Sequence, residues 1–361
     1  MKIIFFTKYD HKGASSRYRT MQFLDYFRRH DVLPDYFPLF DNHYLDLFYS
    51  GNRIPMRLMM GYFIRRFFHL FKVTKYDLVV IEKELFPYFP ALFEVIFKIF
   101  NIKYILDYDD AIFHNYDLNK KKVIRLFLRN KIPLAMKYAT GIIAGSPYLF
   151  DFASRYNNNV YLIPTVVDLK KYHNRIPVRS DNKNFIIGWI GSKSTSINII
   201  DIKKSLEFIC AKYTDVCIHL IGFDKSLENQ LTSINYKLIN WDEESEINEL
   251  EKISVGIMPL TDTPWNRGKC GFKLIQYMAC EKPIIASAVG VNKSIVDQNI
   301  NGFLCTDSSD WITAFEFMIN NEEKRIEFGN NGFNKVKEMY CVKAVYAKYL
   351  EIFNKTARVS K

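Results

Sequence analysis

Nowhere in this 361-residue chain does an uninterrupted apolar run reach the roughly 18 residues expected of a membrane-spanning helix, so no spanning segment is expected. The opening apolar stretch, Met-Lys-Ile-Ile-Phe-Phe, is too short to serve as the core of a signal peptide. Cysteine is scarce and scattered. Cys210, Cys217, Cys270, Cys280, Cys305 and Cys341 make no CxxC pair and no Cys/His metal spacing, and most sit inside apolar runs. That pattern argues for buried free thiols in a reducing compartment, and the expectation is a cytoplasmic protein. Acidic residues are missing altogether from Phe48 to Tyr76. Neither a GxGxxG dinucleotide fingerprint nor the GK[ST] of a P-loop is present.

What is present is positive charge and aromatic surface. The formal net charge is +11, which points to an anionic partner such as nucleic acid, a nucleotide or an acidic membrane. Thirty Phe and 23 Tyr supply large areas for burial or for membrane-interface contact. The length fits two domains of comparable size.

Along the first half, Lys2–Thr7 reads as a buried strand, followed by a loop with Gly13 and a helix from about Arg17. Gly13, Ser15, Ser16 and Arg17 stand where an α/β sheet places ligand contacts; the alternative is an N-cap followed by exposed charge. Over 48–76, Arg53, Arg57, Arg65, Arg66, Lys72 and Lys75 alternate with Met, Tyr and Phe on a helical pattern. Such a segment suits an anionic membrane interface, or else a helix buried on the first domain whose arginines snorkel. No nucleic-acid motif accompanies the charge, so nucleic acid is not expected as a partner. Strands follow at Asp77–Glu82 and Lys103–Leu106, with a helix over Phe86–Phe100 between them. The second strand ends in Asp107-Tyr108-Asp109-Asp110. The DYD triplet fits the DxD pattern of metal-dependent sugar-nucleotide enzymes, a weak signal alone. Strands at Thr140–Ala144 and Val160–Pro164 complete a doubly wound pattern.

The polar stretch 171–184 is the expected linker between a first domain at 1–170 and a second at 185–341. The second series opens with strand Phe185–Ile190 and the loop Gly191-Ser192-Lys193-Ser194-Thr195, whose backbone N–H groups suit a phosphate. Its centre is Gly256 to Asn292. There an apolar strand stops at Pro259, a basic loop carries Arg267 and Lys269, Gly271 opens a helix from Phe272 to about Cys280, and Pro283 introduces another strand. Lys273 and Gln276 lie three apart on that helix, and cations beside a helix start suit a phosphorylated ligand. A solvated loop before a core helix is the plainer alternative.

The string GKCGFKLIQYMACEKPIIASAVGVN followed by NGFL resembles the donor-binding segment of retaining glycosyltransferase family 4, the group 1 enzymes of GT-B fold. GASSRYR, the aspartates after KYIL, AGSPYL, IPTVVD, GWIGSKST and SVGIMPL match in order along most of the chain. The resemblance implies two Rossmann-like doubly wound parallel-sheet domains facing across a cleft, with a C-terminal helix, about 342–361, packing back on the first. It implies a nucleotide-sugar on the second domain, an acceptor on the first, and no metal or other cofactor. Donor contacts would then come from Gly191, Ser192, Lys193, Ser194, Thr195, Arg267, Lys269, Cys270, Gly271, Phe272, Lys273 and Gln276. Acceptor-side contacts would come from Gly13, Ser15, Ser16 and Arg17, and Asp109, Asp110 and Lys273 would be catalytic. Two glutamates usual in the family are replaced by Gly268 and Gln276, and its usual arginine by Ser192. Where the family often has a histidine, this chain has Asp109.

The activity so implied is retaining transfer of a sugar to an acceptor hydroxyl, in bacterial cell-surface polysaccharide or glycolipid assembly. A glycan or lipid-linked acceptor and a peripheral position on the inner face of the cytoplasmic membrane go with it. A catalytically silent nucleotide-sugar-binding subunit and a nucleotide-sugar epimerase are the rival readings.

Overall fold

Among the described residues, twelve short strands, most of them apolar and buried on both faces, pair in parallel into two six-stranded sheets, as strands covered by helices on both sides do. The computed structural model describes residues 1–173 and 184–358, so most of the expected linker, 174–183, lies outside the described residues. The first sheet contains β1 (Lys2–Tyr9), β2 (Leu33–Phe40), β3 (Leu78–Glu82), β4 (Tyr104–Tyr108), β5 (Gly141–Ala144) and β6 (Val160–Leu162), in the order β2-β1-β3-β4-β5-β6. The second contains β7 (Phe185–Ile190), β8 (Val216–Ile221), β9 (Tyr236–Ile239), β10 (Val255–Met258), β11 (Ile284–Ser287) and β12 (Gly302–Cys305), in the order β12-β11-β10-β7-β8-β9.

Contacts divide the chain into two units. One holds Met1–Val166, Arg267–Cys270 and Val342–Lys361; the other holds Val167–Asn266 and Gly271–Cys341. In the first unit, Ile3, Phe5, Phe27 and Val80 pack with Tyr349 and Phe353 of the C-terminal helix Val342–Arg358. In the second, alternate residues of the strands feed two cores, Ile187, Trp189 and Ile257 on one face, Ile186, Ile190 and Met258 on the other.

Three elements differ from the sequence expectation. β2 is absent from the strands read in the sequence, and it carries Pro34 and Pro38, which disfavour a strand; it is tolerated as an edge strand that pairs with β1 alone. The helix expected over Phe86–Phe100 is confined to Leu92–Ile99, since Pro87 and Pro90 keep the preceding segment out of helical conformation. NGFL, whose Asn-Gly pair is a turn signal, contributes Gly302, Phe303 and Leu304 to strand β12.

Each sheet reverses strand order once, between β1 and β3 in the first and between β7 and β10 in the second. In open parallel sheets the strand C-termini at such a reversal are where ligands bind.

Candidate functional site

The reversal point of the first sheet is built from Lys8 and Tyr9 after β1, Glu82 and Lys83 at the end of β3, and the Asp107–Asp110 run at the end of β4. Lys83 has a left-handed backbone (φ +63°), an unfavourable state for a lysine, and its side chain is buried. Its Nζ lies 2.9 Å from Asp109 Oδ1 and 2.9 Å from Asp110 Oδ2. Asp110 also has Lys269 Nζ at 3.7 Å. Burial alone would raise the Asp110 pKa, but the two lysines reverse that and bring it down to about 2. Burial likewise works against a charged Lys83, yet Asp109, Asp110 and Glu82 hold its pKa well above the ordinary range.

Serines of the first helix, Ala14–Arg19, complete this cluster. Ser15 Oγ donates to Asp109 Oδ2 at 2.5 Å, and Ser16 Oγ donates to Glu82 Oε2 at 2.6 Å. Gly13 precedes them because a Cβ there would lie 2.3 Å from Tyr9 Cβ. Arg17 is buried, its guanidinium 4.8 Å from the Tyr18 ring centroid. Glu82 is raised to about 7, by burial first and then by Asp109.

Asp107 and Asp109, the two acids of the DxD pattern, turn to different cations. Asp107 is engaged by Arg19, whose Nε donates to Oδ1 at 3.1 Å and to Oδ2 at 3.2 Å, while Asp109 faces Lys83.

Arg267, Lys269 and Cys270 group with these residues by their contacts. Cys270 Sγ donates to the Asp109 carbonyl at 2.9 Å. A Cβ on Gly268 would lie 2.4 Å from Ala111 Cβ, so this approach excludes a glutamate from that position. Arg267 lies within electrostatic range of Tyr148.

The second unit assembles the other predicted residues at its own reversal point. Gly191 follows β7, with no room for a Cβ against Trp189. Ser192 and Thr195 form a reciprocal cap on the turn Lys193–Thr195, which includes Ser194. Lys273 Nζ donates to Thr195 Oγ1 at 3.4 Å and stands 4.5 Å over the Trp189 ring. Gly271 caps the helix Phe272–Ala279 with φ +66°, and a Cβ there would strike Ile295 at 2.2 Å. Gln276, buried on the same helix, donates from Nε2 to Glu246 Oε1 at 2.6 Å, and Glu246 Oε2 accepts from Trp241 Nε1 at 2.6 Å.

The predicted donor residues therefore fall into two sets. Lys273, Gln276, Gly271, Phe272 and the Gly191–Thr195 turn are in the second unit; Arg267, Lys269 and Cys270 are in the first. Sequence reasoning missed Glu82, Lys83 and Glu246. The available signal for the first two was the charged triplet Glu82-Lys83-Glu84 at the end of an apolar strand, and all three residues are buried. Nothing local marked Glu246.

Residues 184–321 match the family described as glycosyl transferases group 1. Over 109 residues the chain is 26% identical to trehalose synthase of Thermococcus litoralis, a match covering 30% of this chain and 26% of that protein. It thus spans about a quarter of that relative's length. Among solved structures, sucrose-phosphate synthase of Thermosynechococcus elongatus superposes with a TM-score of 0.73 at 13% identity, covering 100% of both chains. HepE of Anabaena, in a complex with UDP-glucose, gives 0.71 at 16% identity, covering 98% of this chain and 100% of that one. The fold is that of the GT-B glycosyltransferases. The resemblance to the group 1 enzymes read from the GKCGFK segment holds.

Proposed function

We propose that this protein is a retaining glycosyltransferase of the family 4 type, moving a sugar from a nucleotide-sugar to an acceptor hydroxyl. The observation that carries the reading is the ammonium of Lys273. It sits at the start of a helix, against Thr195 and the Trp189 ring, at the strand reversal of the segment that matches the group 1 family. As the bond between sugar and diphosphate lengthens, negative charge gathers on the leaving phosphate. Lys273 and the backbone N–H groups of the Gly191–Thr195 turn are the groups we assign to meet it.

On the first unit, Asp109 is assigned to orient the acceptor hydroxyl, with Ser15 and Lys83 holding its carboxylate. Ser16, Arg17 and Gly13 line the acceptor side. Arg267, Lys269 and Cys270, which group with Asp109 and Asp110, are reassigned from diphosphate contacts to support of this acid pair. Gln276, tied to Glu246, presents the nucleotide with a buried amide–carboxylate pair in place of a single glutamate.

HepE was solved with UDP-glucose, so UDP-sugars are the first donors to test. Incubation with a panel of nucleotide-sugars and glycan or lipid-linked acceptors should release nucleotide and form a glycoside whose anomeric proton coupling matches the donor. Binding without turnover would favour the silent subunit, and an isomerised donor the epimerase. The wider role proposed is assembly of bacterial surface polysaccharide or glycolipid, at the inner face of the cytoplasmic membrane. The support for that setting is the segment 48–76, with no acid, an exposed apolar stripe and six cations, of which Arg66 alone is buried. No helix among the described residues is long and apolar enough to cross a membrane.

A further inference from the structure

The helix Met56–Leu70 buries Tyr62, Arg66 and Leu70, four residues apart, on its inner side. Its outer side, where a surface helix is ordinarily polar, exposes Met56, Met60, Ile64, Phe67 and Phe68, and Phe71 follows just beyond. A second element repeats this inversion. In the helix Lys122–Leu128 only Leu128 is buried, while Val123, Leu126 and Phe127, spaced three and four apart on one face, are 67%, 71% and 74% exposed. Lys120, Lys121, Lys122 and Arg129 around them are also exposed. From Leu118 to Phe150 the chain has no acid, and of its seven cations all but Lys131, buried against Glu84, are exposed or partly exposed.

Topology brings the two elements to one side of the first sheet. The connections β2 to β3, β3 to β4 and β4 to β5 all step in the same direction along the strand order, and right-handed crossovers put their helices on a common face. Side chains bear this out. The Phe67 ring is 6.0 Å from Phe93 of the helix Leu92–Ile99. Phe63 is 5.6 Å from Phe86, whose carbonyl accepts from Lys131 Nζ at 2.6 Å. Ile99 and Phe100 are exposed at the end of the intervening helix.

We propose that the helix Lys122–Leu128 is a second membrane-contacting element, meeting an anionic bilayer together with Met56–Leu70. This rests on the reading of 48–76 as a membrane surface and extends it to a separate part of the chain. Exposed apolar tips ask for an apolar medium, and cations without acids ask for anionic charge spread along the same plane. An anionic lipid surface meets both demands, headgroups for the lysines and acyl chains for Leu126 and Phe127. Nucleic acid would answer only the charge.

Vesicle flotation tests this on the full chain, with phosphatidylcholine alone and with roughly one third phosphatidylglycerol to supply anionic headgroups. The wild type should float with the anionic vesicles. Leu126→Ser/Phe127→Ser should partition at least about tenfold more weakly, given the apolar area removed, with an unchanged circular dichroism spectrum because both side chains are exposed. Phe67→Ser/Phe68→Ser/Phe71→Ser should weaken binding separately. If Leu126→Ser/Phe127→Ser floats like wild type while the triple variant does not, the second element is overturned and the 48–76 reading stands. A wild type that never floats overturns both. If it is instead a dimer by light scattering, made monomeric by Leu126→Ser/Phe127→Ser, the face joins copies of the chain and the bilayer proposal is wrong.

Discussion

Lys83 holds Asp109 at 2.9 Å from a backbone in the left-handed region, so the residue that orients the acid pair is itself in a costly conformation. Strain of this kind persists where the surroundings over-determine it. A buried ammonium and two partly buried carboxylates form a set in which each charge depends on the others. Replacing Lys83 with Ala leaves Asp109 and Asp110 without their shared cation. Breaking a buried pair in this way costs roughly 3–5 kcal/mol. Urea denaturation should register a loss of that order, and a Lys83→Arg variant should recover only part, because a planar guanidinium does not occupy the point between the two acids. A Lys83→Ala protein as stable as the wild type would show that the pair is not held as described.

Restoring the usual glutamate at Gly268 should harm the protein. With Ala111 Cβ only 2.4 Å from where a Cβ would be built, even Gly268→Ala forces the segment away from Asp109 and Asp110. Overpacking of this kind costs about 1–3 kcal/mol. Both Gly268→Ala and Gly268→Glu are expected to lower the melting temperature and, with an established donor and acceptor, to lower turnover. An increase in turnover with Gly268→Glu would contradict the geometry.

At the other departure the expected effect depends on pH. Gln276 Nε2 donates to Glu246 Oε1 at 2.6 Å, and Gln276→Glu sets two carboxyl groups against each other. Below neutrality one of them can keep its proton and donate the hydrogen bond; above it both tend to ionise and repel. The deficit in melting temperature relative to wild type should therefore be larger at pH 8 than at pH 5. A deficit independent of pH would mean that the two groups do not interact.

Lys273→Ala should fold normally and lose about 10²–10³ in kcat, the usual effect of removing one preorganised charge-stabilising group. Its side chain is partly exposed, and its bond to Thr195 is long, 3.4 Å. Unchanged turnover would remove it from the chemistry.

Glu94 provides a test of pH-dependent stability away from the proposed chemistry. Burial, with Glu84 adding to it, raises the Glu94 pKa from 4.5 to about 7, against the opposing pull of its backbone bonds and Lys131. Between those values the native protein holds a proton that the unfolded chain releases, so this group makes stability fall as pH rises from 4.5 to 7. Glu94→Gln removes that contribution. The variant should gain in melting temperature relative to wild type between pH 5 and pH 8; a constant difference would rule out the shift.

Much of this protein was legible in its residues alone. Apolar runs of strand length, separated by helical patterns, dictated two parallel sheets, because such strands can be covered only by helices on both faces. The glycine before Phe272 marked the start of the helix that presents Lys273, and the acid-free stretch 48–76 marked a basic aromatic surface. Those signals are local, set by periodicity and by the backbone demands of single residues. Tertiary structure alone decided which distant groups share a charge. Lys83 lies 26 residues before Asp109, and Glu246 lies 30 before Gln276; each pair meets only because parallel strands or their connections end at the same level. β2 exists despite its prolines because an edge strand has one side without a partner. Gly268 is glycine because of Ala111, a neighbour that no periodicity could announce.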